Sequence, residues 1–134
     1  MIPKFRAWDK RENTMRDVAV LHFTKGGKVN SIEYWKTPSE LKSYHVRNLV
    51  LMQSTGLKDK NGVEIFEGDI VQYRDGEYSY LGIVKRDCYQ FFIDGIEPDD
   101  NYDFIDVSNT FDGTSSLEVI GNIWDNPELL EVAE

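Results

Sequence analysis

Short runs of alternating apolar and polar residues recur along the whole chain. In Lys4–Trp8, Phe5 and Ala7 fall on one face of an extended segment, and the same alternation returns in Val29–Trp35. Because successive side chains of a strand point to opposite faces of a sheet, this period of two predicts half-buried strands. Further strand-length apolar segments lie at 15–23, 49–55, 70–73, 82–84, 90–93 and 117–123. The pattern therefore predicts eight or nine short strands.

Helix signals are few. Thr37 has the position of a helix cap, with Glu40 three residues after it, and predicts a short helix over 38–46. Asn126 followed by Pro127 predicts a terminal helical turn. The expected fold class is mainly β, a small β-barrel-like domain of short antiparallel strands with one or two short helical turns.

Turn signals separate the strands of the central block. Gly56 ends one strand, and Asn61-Gly62 predicts a hairpin with a type I′ turn, because both residues tolerate positive φ. Gly68-Asp69 interrupts the return arm before the next strand. Glycine suits an unusual backbone conformation there, and the aspartate carboxylate can accept hydrogen bonds from nearby amides. We interpret all five residues as structural, with a catalytic Asp69 as the weaker alternative.

Charge is distributed unevenly along the 134 residues. Residues 1–50 carry ten Lys/Arg against five Asp/Glu, whereas residues 51–134 carry five against nineteen. Length favours a single domain spanning 1–134. The charge change allows a subdivision into a basic, β-rich N-terminal part (1–50) and an acidic, barrel-like C-terminal part (51–134).

Cysteine content and hydropathy bear on the compartment. Cys88 is the single cysteine, which excludes an intramolecular disulfide and is compatible with a reducing cytoplasm. Met1–Arg6 carries charges where a signal peptide would need an apolar core. No apolar run approaches the roughly 20 residues of a membrane-spanning helix. The expected location is the cytoplasm of the host cell, with no membrane partner.

Three segments carry a family resemblance: Lys4–Asp9, the block Leu51–Val71, and Val119–Leu130. In these segments the chain resembles the YopX-like family of phage and prophage proteins. The resemblance spans both ends and the middle of the chain. It implies a β-rich fold with a barrel-like C-terminal part encoded by a phage or prophage. The resemblance does not by itself imply an activity.

Residues suited to catalysis or metal binding do not form a recognisable motif. His22, His45 and Cys88 lie in ordinary strand or loop contexts. Asp99–Asp103 is rich in oxygen ligands, but the glycine and glutamate that a calcium-binding loop needs at its sixth and twelfth positions are missing. A glycine-rich phosphate loop is also missing. We therefore expect no catalytic residues, no cofactor and no metal.

Aromatic residues provide the candidate binding site. The tyrosines near two consecutive predicted strands are Tyr73, Tyr78, Tyr80 and Tyr89. On a small barrel, such rings could line a groove for a peptide or for single-stranded nucleic acid. Trp8 is a further candidate, because basic residues surround it in sequence. They are Lys4, Arg6, Lys10, Arg11 and Arg16.

These observations favour a non-enzymatic phage or prophage accessory protein that binds another protein or assembles with itself. The alternative is a nucleic-acid-binding protein, or an acidic nucleic-acid mimic that acts on a host factor. Overall acidity disfavours nucleic acid as a partner, because excess carboxylates repel phosphates. A small hydrolase built on carboxylates is a third hypothesis, but no spacing singles out a pair of them.

Overall fold

The computed structural model describes residues 4–87, 90–97, 101–104, 108–109 and 113–130. The chain divides into two compact units, Met1–Gln53 and Ser54–Glu134. This division lies close to the charge change after residue 50. The single-domain organisation expected from the length stays a prediction.

The first unit is an antiparallel sheet. Its elements are β1 (Phe5–Asp9), β2 (Thr14–Phe23), β3 (Val29–Thr37), β4 (Glu40–His45), a 3-10 turn (Val46–Asn48) and the first part of β5 (Leu49–Lys58). β1 pairs with both β2 and β5, and β3 pairs with both β2 and β4. The buried residues Ala7, Ile32, Tyr34 and Leu49 form its core. As the alternation predicted, Ala7 of β1 and Ile32 and Tyr34 of β3 are buried.

The predicted helix over 38–46 is wrong. β4 occupies Glu40–His45 and pairs antiparallel with β3, so that Leu41 lies opposite Trp35. Tyr44 also stacks on Tyr34, with ring centroids 5.2 Å apart. The cap signals were local, and cross-strand pairing with β3 outweighs them.

The second unit contains a five-stranded antiparallel sheet in the order β10-β9-β8-β7-β13. The strands of the second unit are β6 (Glu64–Phe66), β7 (Asp69–Asp75), β8 (Tyr78–Arg86), β9 (Phe91–Glu97), β10 (Tyr102–Asp103), β11 (Ser108–Asn109), β12 (Thr114–Ser115) and β13 (Glu118–Asn122). β6 and β12 pair with the last part of β5, and β11 pairs with β12. The core residues are Ile65, Val71, Tyr80, Val84, Ile93, Phe104 and Leu117.

The mainly β class is confirmed. The described residues contain two helical segments, the 3-10 turns Val46–Asn48 and Pro127–Leu130, and the second confirms the terminal turn. In the described part of the chain the sheet paths stay open, ending at β10 and β13 in the second unit, rather than closing as a barrel.

Asp59 organises the hairpin between β5 and β6. Its Oδ1 accepts hydrogen bonds from the backbone N–H groups of Asn61 (2.8 Å) and Val63 (2.9 Å), and its Oδ2 accepts one from Val119 (2.9 Å). The hairpin is as predicted, but the type I′ turn is wrong. Gly62 has φ +84°, whereas Asn61 is not in the positive-φ region. Hydrogen bonds to the carboxylate of Asp59 fix the turn before Gly62, so that Gly62 alone adopts the left-handed conformation.

The other predicted turn residues also have structural roles. Gly56 has φ +80° and Gly68 has φ +89°, a region that glycine enters without steric cost. Asp69 is buried, and its Oδ2 accepts a hydrogen bond of 2.8 Å from the backbone N–H of Phe66. This geometry agrees with the structural interpretation of the Gly-Asp motif.

Candidate functional site

The second unit brings three of the predicted tyrosines together on one face of its sheet. Tyr73 of β7 lies directly opposite Tyr80 of β8. Tyr78 precedes Tyr80 by two residues, so the period of the strand places it on the same face. The rings of Tyr73 and Tyr78 meet edge to face, with centroids 6.1 Å apart.

Two residues that were not predicted from the sequence complete this site. Tyr102 of β10 packs edge to face on Tyr80 at 5.1 Å, and the buried Leu117 lies at the base. The cavity has a volume of about 230 Å³. We call it the tyrosine pocket, and its lining residues are Tyr73, Tyr78, Tyr80, Tyr102 and Leu117.

The tyrosine pocket has a buried floor and exposed walls. Tyr80 is only 2% exposed, whereas Tyr78 is 44% and Tyr102 is 36% exposed. Rings of this kind present a large apolar surface with little side-chain entropy to lose on binding. The cavity is many times larger than the roughly 10–15 Å³ that one water needs by the same measure, so it has room for an inserted side chain.

Acidic residues flank the pocket in sequence. Glu77 precedes Tyr78, Asp103 follows Tyr102, and both are exposed. Arg74, next to Tyr73, is basic. The second unit as a whole carries five Lys/Arg against nineteen Asp/Glu. The field around the pocket therefore favours an apolar group on a positively charged partner.

Two of the predicted binding residues do not join this site. Tyr89 lies outside the described residues, as does Cys88. Trp8 belongs to the first unit and is 6% exposed, so its ring offers little surface to a partner. A binding role for either aromatic residue stays a prediction.

The basic residues near the N-terminus are engaged within the first unit. Arg11 lies over the ring of Tyr44, 3.4 Å from its centroid, and Arg16 lies 4.7 Å from the centroid of Tyr34. Both guanidinium groups approach the buried carboxylate of Asp9 at 3.5 Å, and Arg16 also pairs with Glu12. Because carboxylates and rings occupy them, Arg11 and Arg16 do not form an open basic patch for phosphates.

The pKa values in this cluster follow from its contacts. Burial raises the pKa of the Asp9 carboxyl, but hydrogen bonds from Arg11 and its positive charge outweigh burial, so the pKa lies below its usual value. Burial and the hydrogen bond with Tyr44 raise the pKa of Tyr34 to about 12. That hydrogen bond, with a smaller contribution from Arg11, lowers the pKa of Tyr44.

The two histidines make ordinary contacts. His22 Nε2 lies 2.8 Å from Glu33 Oε2, and His45 Nδ1 accepts a hydrogen bond from the backbone N–H of Arg47. Among the described residues, no group of three or more His, Cys, Asp or Glu side chains is placed to hold a metal ion. The acidic segment Asp99–Asp103 was not expected to bind calcium, and its residues 99–100 lie outside the described residues.

A second cavity of the same unit, about 360 Å³, is more polar than the tyrosine pocket. Within it, the side-chain amide of Gln90 donates a 3.0 Å hydrogen bond to Asp103. In the described part of the chain, no helix has the length and apolar character required to cross a membrane.

Comparison with known proteins identifies relatives along nearly the whole chain. Protein EF1440 from Enterococcus faecalis has a similar crystal structure, with a TM-score of 0.64 and 33% sequence identity over 98% of this chain and 99% of that chain. The protein yopX from Bacillus subtilis has the same TM-score at 24% identity, covering 96% of this chain and 98% of that chain, and this likeness supports the fold alone. No match was found among the curated proteins. The family model described as YopX protein matches residues 4–131, and the chain therefore belongs to the YopX family.

Proposed function

We propose that this YopX-family chain is a phage or prophage accessory protein that acts by binding a protein in the host cytoplasm, without catalysing a reaction. The observation that carries the proposal is the tyrosine pocket, in which four rings surround one apolar cavity. A phage or prophage origin is supported by the resemblance to the YopX-like family. A cytoplasmic location is supported by the single cysteine.

The chemistry of the pocket favours a protein over a nucleic acid. Stacking on tyrosine would suit either an apolar side chain or a base. A nucleic acid would also bring phosphates to a unit with a balance of nineteen acidic against five basic side chains. That unit would repel phosphates and attract lysine or arginine. We therefore propose a partner that inserts an apolar side chain flanked by basic residues.

Binding without catalysis is supported by the contacts of the buried carboxylates, which are made within the fold. Asp59 accepts three backbone hydrogen bonds, Asp69 accepts one from Phe66, and Asp9 is paired with Arg11 and with Arg16. Carboxylates held in this way stabilise turns and pair with cations. Asp59 and Asp69 accept hydrogen bonds from backbone amides of the fold, which is a structural rather than a catalytic use of a carboxylate.

The test uses defined peptides. Acetyl-Lys-Trp-Lys-amide is titrated into the protein by isothermal titration calorimetry, with acetyl-Glu-Trp-Glu-amide as the charge control. We expect the basic peptide to bind and the acidic peptide to bind at least tenfold more weakly. The affinity of the basic peptide should also fall as the salt concentration rises, because screening reduces the attraction between opposite charges.

Two variants locate the site. Tyr78→Ala removes an exposed wall of the pocket and should reduce the affinity of the basic peptide at least tenfold, equivalent to about 1.4 kcal/mol. Val63→Ala is the matched control, because Val63 is an exposed apolar residue of the same unit at 49% exposure and does not line the pocket. Equal affinity for wild type and Tyr78→Ala would refute the site. Tighter binding of a thymidine oligonucleotide than of the peptide at low salt would refute the proposed partner class.

A further inference from the structure

The first unit exposes an apolar patch on the outer face of its sheet. Trp35 is 45% exposed, Leu41 is 40% exposed, and the two lie directly opposite each other on β3 and β4. Val20, 39% exposed, lies opposite Glu33, which precedes Trp35 by two residues. The strand period therefore places all three on one face, and we call them the tryptophan patch.

The tryptophan patch is placed where a simple alternating pattern would put polar residues. The opposite face of β3 carries the buried Ile32 and Tyr34, and the outer face also carries the His22–Glu33 pair. A tryptophan and a leucine in cross-strand contact expose a continuous apolar area. Such an area on an otherwise polar face indicates an interaction surface.

Charge indicates what covers the patch. The first unit carries ten basic against five acidic side chains, and the second unit carries five against nineteen. The complementary partner is an acidic surface with a recess for one large ring. The tyrosine pocket of the second unit has this chemistry, and the exposed Glu77 precedes its wall residue Tyr78 in sequence.

We propose that Trp35 of one copy of this chain inserts into the tyrosine pocket of a second copy. This inference rests on the proposed binding role of the pocket and names a second copy as the partner. The two surfaces differ, so the contact is heterologous: each copy offers one patch and one pocket. Repeated contacts of this kind make a ring if they close and a linear chain of copies if they do not.

The experiment measures molecular mass by sedimentation velocity over a range of protein concentrations. Wild type should increase in mass with concentration. Trp35→Ser lacks the inserted ring, Tyr78→Ser lacks a pocket wall, and each should remain monomeric alone. Val63→Ser should assemble like wild type. Circular dichroism melts check that the three exposed substitutions leave the fold intact.

Mixing the two deficient variants gives the decisive measurement. Trp35→Ser keeps a working pocket and Tyr78→Ser keeps a working tryptophan, so one heterologous contact can form between them. The mixture should give a 1:1 dimer that grows no further, and acetyl-Lys-Trp-Lys-amide should dissociate it. If Tyr78→Ser alone assembles while Trp35→Ser does not, the patch pairs with itself and the inference is wrong.

The inference and the proposed function can fail separately. If the peptide binds wild type and not Tyr78→Ala, but wild type stays monomeric at every concentration, the pocket binds a foreign protein and self-association is refuted. If the peptide does not bind and the mixed variants do not dimerise, both are refuted. If the mixed variants dimerise without any peptide affinity, the copy-to-copy contact stands and the short-peptide form of the proposed function is refuted.

Discussion

Replacement of Asp59 removes an acceptor that three backbone amides share. Its two carboxylate oxygens accept hydrogen bonds from Asn61, Val63 and Val119 at 2.8–2.9 Å, and its side chain is buried. Hydrogen bonds to a charged group contribute about 1.5–3 kcal/mol each, and an unsatisfied buried donor costs about 1–3 kcal/mol. Since Asn61 and Val63 lie near the surface, water can replace part of the loss.

We expect Asp59→Ala to lower the free energy of unfolding by about 3–5 kcal/mol, a large share of the roughly 5–15 kcal/mol available to a domain. Asp59→Asn should cost about 1–2 kcal/mol, because its oxygen can still serve Asn61 and Val63 while its NH₂ faces the amide of Val119. Asp94→Ala is the surface control. It removes only the exposed pair with Lys85, which is expected to contribute less than about 1 kcal/mol.

Urea unfolding measures the three free energies, and amide hydrogen exchange locates the loss. In Asp59→Asn the amide of Val119 should exchange faster, while those of Asn61 and Val63 stay protected. An Asp59→Ala protein within 1 kcal/mol of wild type would refute the reasoning. Equally faster hydrogen exchange at all three amides in Asp59→Asn would show that the two oxygens do not serve separate amides, one Asn61 and Val63 and the other Val119.

Three further predictions concern other contacts. Gly121→Ala should destabilise the protein by about 1–3 kcal/mol in urea, because its Cβ would lie 2.6 Å from Asn126 Oδ1; adding Asn126→Ala should recover part of the loss. Asp9→Asn should be less stable than wild type at pH 7 in thermal melts. The difference should shrink as pH falls below about 3.8, since a lowered pKa stabilises only while the carboxylate is ionised. Ultraviolet titration should show a tyrosine ionising near pH 12 that Tyr34→Phe removes.

The strands of both units were largely predictable from short-range patterning. Alternation gave the correct inward positions Ile32 and Tyr34, and Asn61-Gly62 marked a real hairpin, whereas Ala7 and Trp8 are both buried in β1. β4 was not predictable in this way. Its cap-like residues resemble a helix start, and only contact with β3, invisible to a local window, favours the strand.

The candidate site was half predictable for the same reason. Tyr73, Tyr78 and Tyr80 are neighbours in sequence and across one hairpin, so their clustering could be expected. Tyr102 lies on β10, and Leu117 lies just before β13. The pairing of β10 with β9 and of β13 with β7 brings these two residues to the pocket, and local sequence does not show that pairing. The role of Asp59 was missed, although an aspartate two residues before Asn-Gly is a recognisable source of side-chain hydrogen bonds to a turn.

The pairing of β13 with β7 has a consequence for synthesis on the ribosome. β1 to β4 and the first part of β5 all emerge within the first 53 residues, so the first unit has its strands early. In contrast, one edge of β7 pairs only after Glu118–Asn122 has been synthesised. The carboxylate of Asp59 likewise accepts its hydrogen bond from an amide 60 residues later in the chain. Until then the nascent chain carries an unpaired strand edge, the state most prone to aggregation. Chains halted before Glu118 should therefore be the ones that need a chaperone. In ribosome-bound chains of increasing length, protease resistance should rise sharply once the strand Glu118–Asn122 has emerged.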